Sequence, residues 1–89
     1  MPTLLEFKSE SCLPCKRQAE ELAKFQSKYP NVTVKVYSID TTEGRLVADK
    51  YSVKLLPTFV LKDDSGGIRG GAEGFRSASE LAKLVGSIR

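Results

Sequence analysis

Two cysteines stand two residues apart in the stretch SESCLPCKR, residues 9–17, and they are the only thiols of the chain. A pair of this kind can be half of a metal site, a structural crosslink or a centre that exchanges electrons. A closed zinc site wants four Cys or His ligands, and this chain has two Cys and no His. A metal ion or an iron–sulfur cluster would therefore have to be shared between two chains. A disulfide scaffold normally uses four or more cysteines. Redox chemistry is what remains, beside the plain reading that both cysteines are small core residues.

The chemistry of the pair depends on the elements that hold it. Residues 3–8, TLLEFK, read as a short strand with Leu5 and Phe7 on one face and Leu4 and Glu6 on the other. From Leu13 to Tyr29 the positions Cys15, Ala19, Leu22, Phe25 and Tyr29 recur at helical spacing, and Pro30-Asn31 ends the run. Residues 32–39, VTVKVYSI, are β-branched and alternating, so they read as a strand. Asp40, Thr41 and Thr42 offer caps for a short helix across EGRLVADKY. A further strand over residues 57–62 leads through Asp63–Gly67 into another near 68–73. Ser77 and Glu80 stand at capping-box spacing before Ala78, Leu81, Ala82, Val85 and Ile88, the apolar face of a last helix. The order is βαβαββα. It predicts an α/β fold in which a four-stranded mixed sheet, with one parallel pair and a hairpin, is flanked by three helices.

On this map Cys12 lies where the first strand gives way to the long helix. Its sulfur should face unpaired backbone N–H groups and the positive end of the helix dipole, both of which favour the nucleophilic thiolate. Lys8, Lys16 and Arg17 add positive potential. Cys15, one turn on, should be more buried and placed to attack a mixed disulfide held on Cys12. Pro14 costs no needed hydrogen bond in the first turn and stiffens the loop. Cys12 is thus the expected attacking residue, and Cys15 the resolving one.

With those positions fixed, the chain resembles the thioredoxin family. CLPCK looks like the family's active-site loop, with Leu13 in place of the usual glycine. YSVKLLPTFVL, residues 51–61, resembles the segment around its cis-proline, which carries over to Pro57. AEGFRSASELAKLV resembles the end of the last strand and the start of the final helix, with Gly74 at the substrate-groove glycine. The likeness covers nearly the whole chain, without the N-terminal strand and helix of full-length members, and leaves the core shared with glutaredoxins. It departs from the family at three places. Ser11 replaces the tryptophan before the first cysteine, Glu6 aligns with the buried aspartate, and Val36 aligns with the lysine that commonly partners it.

The resemblance implies a single thioredoxin-like domain over residues 1–89 that reduces protein disulfides by dithiol exchange. Cys12 and Cys15 would close a redox disulfide, without metal or organic cofactor. Leu13, Pro14, Leu56, Pro57 and Gly74 would meet the substrate, and a cis Leu56–Pro57 bond would present the Leu56 backbone to an extended segment. Glu6, buried under the loop without a cationic partner, should have a raised pKa and could accept the proton of Cys15. A thioredoxin reductase or glutathione would recycle the dithiol. A glutaredoxin-like enzyme acting on glutathione mixed disulfides, or a redox-sensing binding module, are the alternatives.

Composition agrees with a small soluble domain. The net charge is +3, and the cations are scattered rather than striped, which argues against nucleic acid and allows some attraction for acidic proteins. No run approaches the roughly 20 apolar residues of a membrane span. MPTLLEFK lacks the basic start and long apolar segment of a secretory signal. A cytoplasmic monomer is the expectation.

Overall fold

The computed structural model describes residues 1–86. Strand β1 (Thr3–Lys8) is followed by helix α1 (Leu13–Lys28), β2 (Thr33–Ser38), α2 (Thr42–Lys50), β3 (Thr58–Lys62), β4 (Ile68–Glu73) and α3 (Ala78–Gly86). All seven elements fall where the residue pattern puts them, with ends that move by a residue or so. Ile88, expected on the apolar face of α3, lies outside the described residues.

The sheet runs β2-β1-β3-β4. Strand β1 pairs in parallel with β2 and antiparallel with β3, and β3 pairs antiparallel with β4. Parallel neighbours cannot be joined by a tight turn, and α1 provides the crossover. β1 is therefore interior, and four of its six residues are buried, alternating between two faces. Leu4 joins Leu22, Phe25, Phe59, Leu61 and Leu81 in the cluster beneath α1 and α3. Leu5 and Phe7 join Ala48 and Val60 beneath α2, with Tyr37 and Tyr51 packed against them. Fully burying a side chain of this size stabilises the fold by about 1.5–3 kcal/mol. The two faces thus hold separate apolar clusters on one sheet.

Local chemistry sets the ends of the elements. The Thr41 side chain accepts the Gly44 N–H at 2.9 Å and caps α2. Gly44 is required there, because a Cβ would collide with the Ser38 carbonyl. In the hairpin before β4, Asp63 Oδ1 accepts the N–H groups of Ser65 and Gly67 at 3.0 and 2.9 Å. The capping box of α3 is formed in both directions. Ser77 N–H donates to Glu80 Oε1 at 2.9 Å, and Glu80 N–H donates to Ser77 Oγ at 3.2 Å.

One face differs from the pattern read in the sequence. The buried stripe of α1 is Cys15, Gln18, Leu22 and Phe25, and Ala19, expected within it, is exposed. A buried amide is tolerable only if it is hydrogen-bonded, and Gln18 is bonded through both of its polar atoms.

Candidate active site

The carboxyl end of β1 feeds directly into the two cysteines. Cys12 caps α1 in extended geometry, φ −87° and ψ 107°, and its Sγ accepts the Cys15 N–H at 3.2 Å. That contact uses one of the four N–H groups a helix start leaves without intrahelical partners. The sulfur of residue 12 therefore sits where negative charge is stabilised, by this donor and by the helix dipole. Cys12 is half-buried, while Cys15 is 4% exposed. The two are joined as a disulfide with Cα atoms 5.2 Å apart, which is the oxidised state of the pair. Pro14 occupies the first turn, as expected, and Leu13 is 72% exposed on the rim.

The other wall of the site comes from β3 and β4. Thr58 pairs with Phe7 in the sheet, so Pro57 is placed at the end of β1 from which the cysteine loop departs. The Leu56–Pro57 bond is cis. Pro57 is fully buried, Leu56 is half-buried, and the Thr58 hydroxyl donates to the Leu55 carbonyl. Gly74 has φ +89°, a conformation that favours glycine, and its N–H donates to the Pro57 carbonyl at 2.7 Å. Pro57 and Gly74, distant in sequence, thus meet.

Glu6 lies on the Leu4 face of β1, 2% exposed, opposite Val36 and Phe59 in the sheet register. It borders a cleft of roughly 450 Å³ with Cys15, Lys8, Lys16, Leu22 and Val36. Burial disfavours the ionised carboxyl and lifts its pKa from 4.5 to about 7, against a smaller opposing pull from Lys8. A cation thus faces Glu6 after all, although Lys8 is partly engaged by Glu10 at 3.9 Å. Val36 offers no charge, and Lys35 points to the opposite face, toward Leu5 and Tyr37. Among the described residues no group of three or more His, Cys, Asp or Glu could hold a metal ion.

Gln18, Glu21 and Arg76 at this end of the molecule were not singled out in the sequence, and Arg17 was read only as a source of positive potential. Gln18, 0% exposed, donates from Nε2 to the Arg76 carbonyl and accepts the Arg76 N–H at Oε1, both at 2.8 Å. Glu21 Oε1 accepts the Ala78 N–H at 2.8 Å. The Arg17 guanidinium lies 4.7 Å from the centre of the Phe75 ring. Arg17, Gln18 and Glu21 of α1 thus grip the segment after Gly74. The one sequence signal was a glutamine three residues beyond Cys15, inside an otherwise apolar stripe.

The thioredoxin family model matches residues 1–87. Thioredoxin-1 of Saccharomyces cerevisiae is 31% identical over 84 residues, which span 94% of this chain and 67% of that protein. The thioredoxin of Chlamydia trachomatis is 30% identical over 82 residues, spanning 92% of this chain and 78% of the relative. Among solved structures, a malarial protein superimposes with a TM-score of 0.88 at 27% identity, covering 98% of this chain and 96% of its own. The oxidised form of mitochondrial thioredoxin 3 from Saccharomyces cerevisiae gives 0.81 at 30% identity, covering 92% of this chain and 74% of that one.

Proposed function

Because the chain belongs to the thioredoxin family and carries the Cys12–Cys15 pair, it is a thiol–disulfide oxidoreductase, and we propose that it reduces protein disulfides with Cys12 as nucleophile and Cys15 as resolving thiol. The observation that carries this division of labour is the contrast between the two sulfurs. Cys12 caps the helix and is partly open to solvent, whereas Cys15 is buried one turn behind it.

In the reduced protein the Cys12 thiolate attacks one sulfur of the substrate disulfide, and the other substrate sulfur leaves as a thiolate that takes up a proton. A mixed disulfide now joins Cys12 to the substrate. Cys15, deprotonated, then attacks the Cys12 sulfur, closes the Cys12–Cys15 bond and expels the second substrate thiolate, which is protonated in turn. Two electrons have passed from the protein dithiol to the substrate. Glu6, at the cleft that also reaches Cys15, accepts the Cys15 proton, directly or through a water. A carboxyl with a pKa near 7 is well matched to that transfer at neutral pH. Leu13 and Pro14 on one wall, and Leu56, Pro57 and Gly74 on the other, form the docking groove. An extended substrate segment pairs there with the Leu56 backbone, in the manner of strand addition.

No metal or organic cofactor enters these steps. The protein acts as a monomer in a reducing compartment such as the cytoplasm, where a thioredoxin reductase returns the dithiol. Among the described residues no helix is long and apolar enough to cross a membrane. The experiment is reduction of insulin, with recycling by a thioredoxin reductase in one arm and by glutathione in the other. Turnover well beyond one equivalent in the first arm is expected. Turnover only with glutathione would assign the protein to glutaredoxin-like chemistry, and a single equivalent in both arms would make it a redox sensor rather than a reductase.

A further inference from the structure

We propose that Arg76, held beside the substrate groove by Gln18, makes this site select disulfides whose reactive cysteine is flanked by a carboxylate side chain. The inference deepens the disulfide-reductase reading and rests on it.

Gly74 leaves the groove without a side chain of its own. The nearest atom to the position a Cβ would take there is Arg76 Nη1, at 3.9 Å. The same Nη1 donates to the Phe75 carbonyl at 2.8 Å, which anchors the guanidinium by one of its nitrogens. The backbone of Arg76 is fixed independently, since both its N–H and its carbonyl are bonded to the buried Gln18 amide. A long cationic side chain usually loses rotamer freedom when it meets a ligand. Here much of that ordering is already in place, and the guanidinium keeps donors free for a bidentate contact.

The local charges agree with this reading. Arg17 brings a second guanidinium against the Phe75 ring. Among the described residues neither arginine takes part in a salt bridge. The neighbouring carboxylates are in use, Glu80 by Ser77 N–H and Glu21 by Ala78 N–H and Lys24. Glu73 shares a shallow cleft with Arg76, yet no salt bridge joins them. Arg76 and Arg17 act through space on the Glu80 and Glu21 carboxyls. Among the described residues neither is closed in an ion pair, so the groove wall beside Gly74 keeps guanidinium donors that an acidic residue next to the target cysteine can engage.

Two synthetic peptides test the inference, each with one internal disulfide and identical except for Glu or Lys beside the cysteines. Their reduction is followed with dithiothreitol as the recycling reductant. At low ionic strength kcat/KM should favour the Glu peptide by about fivefold or more. At about 0.5 M salt the two should approach parity, because the contact lies at the surface. Arg76→Glu should invert the ratio. Gln18→Leu keeps the Arg76 charge but frees its backbone, and should narrow the ratio. General destabilisation slows both peptides together, so the ratio separates positioning from mere folding. Should Gln18→Leu fail to fold, Arg76→Glu, which leaves the Gln18 bonds to the Arg76 backbone in place, decides alone. No preference in the unsubstituted protein, or a preference that survives Arg76→Glu, would overturn the proposal. An unchanged ratio in folded Gln18→Leu would remove Gln18 from it. Failure to speed the reduction of either peptide above the dithiothreitol background would instead refute the reductase reading, and this inference with it.

Discussion

Reduced and then given a limiting amount of an alkylating reagent at neutral pH, the protein should lose Cys12 first. The cap position favours its thiolate, while Cys15 is almost fully covered. Mass spectrometry of the labelled peptide reads the order, and Cys15→Ser should trap substrate as a stable mixed disulfide on Cys12. Predominant trapping by Cys12→Ser would reverse the roles. Glu6 gives a second prediction. General-base help is typically worth about a hundredfold or more, so Glu6→Gln should slow resolution of the mixed disulfide by that order and leave the initial attack largely intact. The same residue predicts a pH dependence of stability. Its folded pKa, about 7, exceeds the ordinary 4.5, so between those values the folded state binds more protons than the unfolded. The stabilisation is complete below 4.5 and is lost as pH rises through 7. By linkage the loss is at most about 3 kcal/mol, reduced by whatever screening the cleft's water provides. Denaturation at pH 4.5 and pH 8 should show that fall in the unsubstituted protein and not in Glu6→Gln. The burial of Glu6 was legible in the sequence because strand alternation put it on the same face as Leu4. The opposing influence of Lys8 was not, although alternation puts it on the same face, because the reach of a lysine depends on the cleft it enters.

Among the elements, α1 shows most clearly what periodicity can and cannot reveal. Its length, its proline in the first turn and its apolar stripe were readable, yet the stripe passes through Gln18 rather than Ala19. Hydrophobicity favoured the alanine. What wins is the pair of hydrogen bonds from Gln18 to Arg76, a partner 58 residues away, which no local pattern announces. The meeting of Pro57 with Gly74 was hidden for the same reason, although each residue stood out by its resemblance. Element ends, by contrast, follow short-range rules and support direct tests. Ser77→Ala removes the oxygen that accepts the Glu80 N–H, and should cost about 1 kcal/mol, read as a lowered denaturant midpoint. Gly44→Ala should cost more, on the order of 1–3 kcal/mol, because its methyl group must displace the Ser38 carbonyl at the start of α2. If Gly44→Ala is as stable as the parent, the tight approach of α2 to the end of β2 is wrong.

For the molecule as a whole, 89 residues leave little apolar area in reserve. Phe59, 1% exposed in the middle of the sheet, packs in the cluster beneath α1 and α3. Phe59→Ala should cost about 3–5 kcal/mol, a large share of the 5–15 kcal/mol typical of a folded domain. Thermal unfolding should show a midpoint lowered by many degrees, and a shift of only a degree or two would mean that the cluster is not the core. The two faces of β1 also differ in what they contribute. Glu6 and α1, which Cys12 caps and which holds Cys15, lie on the side of Leu4, whereas Leu5 and Phe7 face α2, and of the proposed groove only Leu56 packs on that side. Substitutions on the exposed surface of α2, away from Leu56, should therefore change surface charge there and leave Cys12 and Cys15 reactivity untouched. One strand, by pointing successive residues in opposite directions, thus separates the face that carries the redox pair from the face that packs under α2.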